Sequence, residues 1–184
     1  LRVEEADVKE SLRTTGLQDK PLQRWDEDDK VRFCSELRAL TKPMVIAGNK
    51  ADVDGAMENY ERLTSQFPDH TIVPMSAKAE LTLRKAERSG AVEYLPGDAS
   101  FDVSGDLSEA QRDGLAFLDD VMEQLGGTGT QAVINTAVFD VLNMVYAFPG
   151  SDELEDKDGN TLPDCFLLPP SSTVLDFAYH VHSD

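Results

Sequence analysis

At 184 residues the chain is long enough for one or two domains with a real hydrophobic core. Hydrophobic residues make up 40% and no apolar run approaches the roughly 20 residues of a membrane-spanning helix, so neither a disordered chain nor a membrane partner is expected. The formal charge of −18 argues against DNA as a partner, because nucleic-acid binding depends on Lys and Arg displacing counterions.

The first 24 residues are polar and end in Lys20-Pro21. Asp26 is positioned to cap a helix through Val31, Phe33, Cys34, Leu37 and Leu40, with acidic residues favouring its N-terminus. Thr41-Lys42-Pro43 stops it. Met44-Val45-Ile46-Ala47 is a short, fully apolar run of the kind found in buried parallel strands. After a loop over Gly48 to Asp54, the residues Ala56, Tyr60, Leu63 and Phe67 fall at helical spacing. Thr71-Ile72-Val73-Pro74-Met75 predicts a second buried strand, and Ser76-Ala77-Lys78 leads into a helix through Leu83 and Ala86. Strand, helix, strand, helix at this spacing is an α/β unit.

Ser108 and Gln111 form a capping box ahead of Leu115, Leu118, Val121, Met122 and Leu125, and Gly126-Gly127 ends that helix. Thr128 or Thr130 starts another, with Val133, Ala137, Val138, Val141 and Leu142 on its buried side. A domain boundary is placed near Asn143. Beyond it, Val145-Tyr146-Ala147-Phe148-Pro149 reads as a strand, and Asp158-Gly159-Asn160 as a turn. Phe166-Leu167-Leu168 is a strand candidate, and Ser172 to Ala178 a short helix.

Chemistry concentrates in Asn49-Lys50-Ala51-Asp52, directly after the first apolar strand. The run resembles the NKxD guanine-recognition motif of P-loop GTPases. Guanine offers two donors on one side, N1–H and the exocyclic amine, and an ionised Asp accepts both through charge-assisted bonds. Adenine has no matching donor pair, so a buried Asp would be left unpaired against it. By resemblance, the stem of Lys50 covers a face of the base and Asn49 braces the loop against the phosphate-binding loop.

Alone, four such residues are a weak pattern that an ordinary polar loop can produce. The second motif changes this. Ser76-Ala77-Lys78 stands 24 residues after Asp52, at the end of the next strand. It resembles the second guanine motif of these GTPases, which implies that the Ala77 backbone N–H meets guanine O6, that Ser76 braces the Asp52 loop and that Lys78 packs near the base. Ligands bind at the C-terminal ends of parallel strands in α/β sheets, and both motifs are expected there.

The segment from Asn143 onward resembles the front portion of a TGS domain, a small β-grasp module. The residues that carry this likeness are Asp158 to Asp164, Leu167 to Ala178, and Val181-His182-Ser183-Asp184. Together the motifs resemble the Obg-like, YchF-type GTPases in their archaeal branch. That implies an α/β fold: a helical insertion over 1–42, the C-terminal part of a P-loop GTPase parallel sheet over 43–142, and a partial β-grasp (TGS) domain over 143–184. It implies GTP or GDP as ligand, since Asp52 is retained where relatives favouring ATP have lost it. It also implies a translation-linked role, with the ribosome or tRNA as a partner through the TGS part. The alternative is a non-enzymatic RNA- or protein-binding module. No Gly-x-x-x-x-Gly-Lys-Ser/Thr loop occurs, so nothing is expected to cradle the β- and γ-phosphates, to hold Mg²⁺ or to act catalytically within this chain.

Other residues point elsewhere or nowhere. His70 opens a strand, while His180 and His182 alternate with Tyr179 and Val181 and are expected on one strand face; no third ligand makes them a metal site. Asp152, Glu153, Glu155, Asp156 and Asp158 read as a solvated acidic loop, their spacing failing the calcium-loop pattern. Cys34 and Cys165 lack paired spacing and are expected to be buried, reduced thiols. The start, Leu1 to Glu5, is neither signal nor transit peptide and lacks an initiator Met, so the chain is expected to be part of something longer, in the cytoplasm.

The acidity is spread along the sequence and not gathered in a tail. From Asp113 to Asp184 there are 13 acids and one base, Lys157, a balance of −12. This distribution suits a halophilic protein, whose self-repulsion is screened to about 3 Å at 1 M salt. Thermal melts should therefore rise in temperature as KCl approaches molar levels. A flat or falling trend would leave an acidic interaction surface as the better explanation.

Overall fold

The computed structural model describes residues 3–149, 154–155, 159–161 and 164–181. Helix α1 (Glu5–Thr14) was not expected from the polar N-terminal sequence. Asp7 accepts the Glu4 N–H at its first turn, and the helix buries Ser11 against its neighbour instead of a row of large apolar side chains. After a single 3-10 turn at Leu22–Arg24 comes α2 (Glu27–Thr41), which forms as its capping residues dictate. Asp26 accepts from the Asp29 N–H at 2.8 Å, and Asp29 accepts from the Asp26 N–H at 3.1 Å.

Asp29 also joins Lys20 and Arg32, tying the turn before α2 to its first residues. The Lys20 ammonium, with the Asp26 amide and Arg32, holds its carboxyl at about 2 against the opposing effect of burial. Phe33 packs edge-on to Trp25 at 5.1 Å, which leaves Cys34 on the solvent side. Both cysteines are exposed, correcting the expectation of buried thiols: Cys34 sits on the open face of α2, and Cys165 just precedes a strand.

Strand β1 (Val45–Gly48) and strand β2 (Thr71–Pro74) pair in parallel, joined by α3 (Ala56–Gln66). Val45 lies opposite Thr71 and Gly48 opposite Pro74. β1 is not fully buried as its composition suggests: Ile46 is 36% and Met44 50% exposed. The sheet has two strands among the described residues, so one edge of β1 has no strand beside it.

Ser76 caps α4 (Ala77–Arg88), its hydroxyl accepting from the Ala79 N–H at 3.1 Å. Two short strands follow, β3 (Val92–Glu93) and β4 (Asp102–Val103), in an antiparallel ladder too brief for any sequence period to announce. Helix α5 (Glu109–Leu125) starts on the Ser108–Gln111 capping box and stops at Gly126 in the left-handed conformation, φ +69°. The core lies between α4, β3 and α5. Ala79, Leu83, Val92, Tyr94, Leu115, Leu118, Val121 and Met122 form one buried cluster there.

Helix α6 (Thr130–Asn135) continues as a π-helical segment over Thr136–Val141, with the Leu142 N–H donating to the Ala137 carbonyl. Strand β5 (Val145–Ala147) then pairs antiparallel with β6 (Phe166–Leu168), and α7 (Val174–Val181) follows. Phe177 of α7 packs edge-on to Phe166 at 5.9 Å. His180 lies in α7 within hydrogen-bonding reach of the Asp176 carbonyl, so the expected strand face is corrected to a helix. Thr173 and Asp176 cap that helix reciprocally: the Thr173 N–H donates to Asp176, and the Asp176 N–H donates to the Thr173 hydroxyl. His182, Ser183 and Asp184 lie outside the described residues, as do Asp152, Glu153, Asp156 and Asp158. His70, by contrast, is exposed just before β2, beside the Phe67 ring.

Candidate functional site

Two loops leave the C-terminal ends of the paired parallel strands and meet. The first, Asn49 to Asp52, leaves β1; the second, Met75 and Ser76, joins β2 to α4 and continues into its first residues, Ala77 and Lys78. Their backbones are laced together. The Met75 N–H donates to the Gly48 carbonyl at 3.0 Å, and the Ala51 N–H donates to the Met75 carbonyl at 3.0 Å.

Asn49 fastens the loops a second time through its side chain. Its Oδ1 accepts from the Lys50 N–H at 2.8 Å and from the Ala77 N–H at 3.1 Å, across 28 residues of sequence. Lys50 takes a left-handed backbone, φ +68°, uncommon for a residue with a Cβ. Ala51 is buried, which anchors the loop from beneath. Asn49, Lys50, Ala77 and Lys78 are exposed and Asp52 is half-buried.

The six residues singled out in the sequence therefore stand on one pair of adjoining loops. Three of them make contacts other than those expected, Asn49 among them, since its side chain braces the second loop. The Ala77 N–H is engaged by Asn49, and the Ser76 hydroxyl caps α4 instead of reaching the Asp52 loop. By contrast, Asp52, Lys50 and Lys78 carry side-chain charges that form no hydrogen bond or ion pair among the described residues. A half-buried carboxylate with open acceptor positions suits a ligand presenting a pair of N–H donors. A cavity of about 290 Å³ adjoins the first loop, lined by Asn49, Lys50 and Asp54 with Tyr60, Leu63 and Ile72, whereas Asp52 lines a separate cavity of about 330 Å³ with Glu58, Phe117 and Asp120.

A buried polar network lies behind the second loop, and sequence reasoning missed it. Glu80 accepts from the Thr128 hydroxyl at 2.7 Å, the Tyr94 hydroxyl at 2.9 Å and Arg84 Nε at 2.5 Å. Burial pushes its carboxyl up, and the three donors together hold it below the usual range. Burial, reinforced by the Glu80 carboxylate, raises the Tyr94 phenol. The available signal was the glycine-rich run Gly126-Gly127-Thr128-Gly129, which announces a helix stop but not the partner of its threonine.

Comparison with known proteins gives this geometry its family. Residues 47–152 match the family described as Obg-like GTPase YGR210-like, G4 motif-containing domain. A GTP-binding protein of Methanocaldococcus jannaschii is 38% identical over 186 residues, covering 100% of this chain and 47% of the relative. A GTP-binding protein of Schizosaccharomyces pombe is 28% identical over 168 residues, covering 85% and 41% respectively. The crystal structure of a GTP-binding protein from Pyrococcus horikoshii is similar with a TM-score of 0.66 and 38% identity, over 99% of this chain and 47% of that one. The chain thus spans about half the length of the relatives it matches. It belongs to the Obg-like GTPases of the YGR210-like kind, and residues 47–152 are the part that carries the family's G4 motif.

Proposed function

We propose that this chain supplies the base-recognition half of a guanine-nucleotide site, with Asp52 accepting guanine N1–H and the exocyclic amine. The stem of Lys50 and the side chain of Lys78 flank the base in this reading. Guanine O6 is met by the amides that open α4, with Ala77 exchanging Asn49 for the ligand. The observation that carries the proposal is the double fastening of the two motif loops, by the Ala51 and Met75 amides and by Asn49 Oδ1, beside an open Asp52 carboxylate.

In the longer protein the same site would serve GTP hydrolysis in a translation-linked role, with Mg²⁺ held only where a phosphate-binding loop is also present. The archaeal YchF-type assignment, the cytoplasmic location and the halophilic character belong to the same reading. The TGS assignment draws support from the antiparallel β5–β6 pair followed by α7, whose Val174, Leu175 and Tyr179 are 85%, 63% and 67% exposed. A TGS part acting alone on RNA or protein is the competing reading that this exposed helix favours.

The chain by itself is expected to bind GDP no tighter than about 1 mM, since the charge-assisted contacts to the phosphates are not available to it. It should hydrolyse no GTP above background, for want of the phosphate-cradling loop. Calorimetry and amide chemical-shift titration with GDP and ADP test the first statement, and phosphate release the second. Equal response to GDP and ADP would sink the base-recognition reading. Turnover abolished by Asp52→Ala would reveal a catalytic element in these residues.

A further inference from the structure

Ser76, at the head of the second motif, is fully buried, and its N–H donates to the Thr128 carbonyl at 2.9 Å. Thr128 lies in the turn between α5 and α6, far along the chain from the loop it holds. It is held in turn by its own hydroxyl, which donates to Glu80 Oε2. Glu80 stands one turn into the helix that Ser76 caps, so the contacts close a ring: Ser76, Thr128, Glu80 and back through α4. Tyr94 donates to the same Oε2, and Arg84 donates to Oε1.

The next residue presses on the same loop from the same side. Gly129 has φ +78°, and a Cβ there would lie 2.3 Å from the Pro74 carbonyl oxygen and 2.6 Å from Met75 Cα. Only a residue without a side chain lets the turn come this close. Ser76, Thr128 and Glu80 are all buried.

We propose that Glu80, Thr128 and Gly129 are positioning residues that set guanine preference by fixing Met75–Ala77 against the Asn49–Asp52 loop. The inference rests on the base-recognition reading above. A hydrogen bond weakens steeply as its geometry degrades, and the Ala77 N–H to Asn49 Oδ1 contact is already 3.1 Å. A shift of the second loop by a fraction of an ångström therefore displaces the amides that face the base relative to Asp52, which stands on the separate loop after β1. A buried carboxylate stripped of one donor leaves its neighbours to rearrange, which is how the disturbance reaches the loop.

The test uses the isotope-labelled 184-residue chain, titrated with GDP and with ADP and read at the Ser76 and Ala77 amides. The ratio of the two affinities does not depend on the folded fraction, so simple destabilisation leaves it unmoved. Thr128→Val and Gly129→Ala are expected to lower the GDP-to-ADP preference about fivefold, the scale of one good hydrogen bond. Thr128→Ser, which keeps the hydroxyl, should restore it. A preference unchanged in Thr128→Val, with the unmodified chain favouring GDP, overturns the inference and leaves the base-recognition reading standing. An unmodified chain that does not favour GDP overturns both. Should Gly129→Ala fail to fold, the Thr128 pair decides alone.

Discussion

Asp52→Asn is expected to move the chain's base preference from guanine to xanthine. The carboxylate of Asp52 offers acceptors only, whereas an amide at the same position presents one acceptor and one donor edge. Guanine then loses both charge-assisted bonds, keeps at most one neutral bond and meets a donor opposite its amine. Xanthine carries an oxygen at that position and gains the donor. Hydrogen bonds to charged groups contribute about 1.5–3 kcal/mol, so guanine affinity should fall about 10- to 100-fold. For so weak a site, that places GDP beyond measurable binding while the xanthine nucleotide becomes the better ligand. Competition titrations with GDP, XDP and ADP, read at the loop amides, give the answer. Equal GDP response in the variant and the unmodified chain would remove Asp52 from the site.

The second large effect is on stability. Leu83 is 0% exposed at the centre of the cluster that joins α4 to α5 and β3, with Tyr94 and Met122 buried in the same cluster. Leu83→Ala removes buried methyl groups and leaves a cavity that neighbouring helices close only in part. Such changes cost about 2–5 kcal/mol, a large share of the 5–15 kcal/mol that typically separates folded from unfolded domains. Leu81, two residues earlier on the same helix, is 55% exposed, and its replacement by alanine should stay within about 0.5 kcal/mol. Urea melts of the two variants beside the unmodified chain make the comparison. Similar midpoints for both would show that the α4–α5 cluster is not where this fold's stability resides.

Local chemistry accounts for what the sequence made legible. Asp26 and Ser108 cap helices because the capping residue and its partner lie three positions apart, within one turn of chain. Both motif loops were legible for the same reason, each being a run of three or four residues after an apolar strand. What depended on distant partners was not. Ile46 is 36% exposed on a strand that has one strand partner among the described residues, and the side chains of β1 do not encode how many neighbours it has. Cys34 faces solvent because Phe33 and Trp25 settle which side of α2 turns inward. The bond from the Ala77 amide to Asn49 and the Glu80–Thr128 contact span 28 and 48 residues, and no local period announces either. Helix α1 escaped notice because its buried contact is a serine, not an apolar stripe.

The left-handed backbone at Lys50 bears on how affinity and durability trade against each other. A residue with a Cβ gives up about 1–2 kcal/mol to adopt that conformation, where asparagine or glycine would sit more easily. The rest of the fold supports that strain before any nucleotide arrives, through the Asn49 side chain and the lacing of the two loops. A ligand therefore meets a loop whose ordering entropy has already been spent in folding, and its binding need not supply it. Sequence changes that relax position 50 should toughen the domain while loosening its grip on the base, so selection for hardiness and selection for recognition pull this one backbone angle in opposite directions.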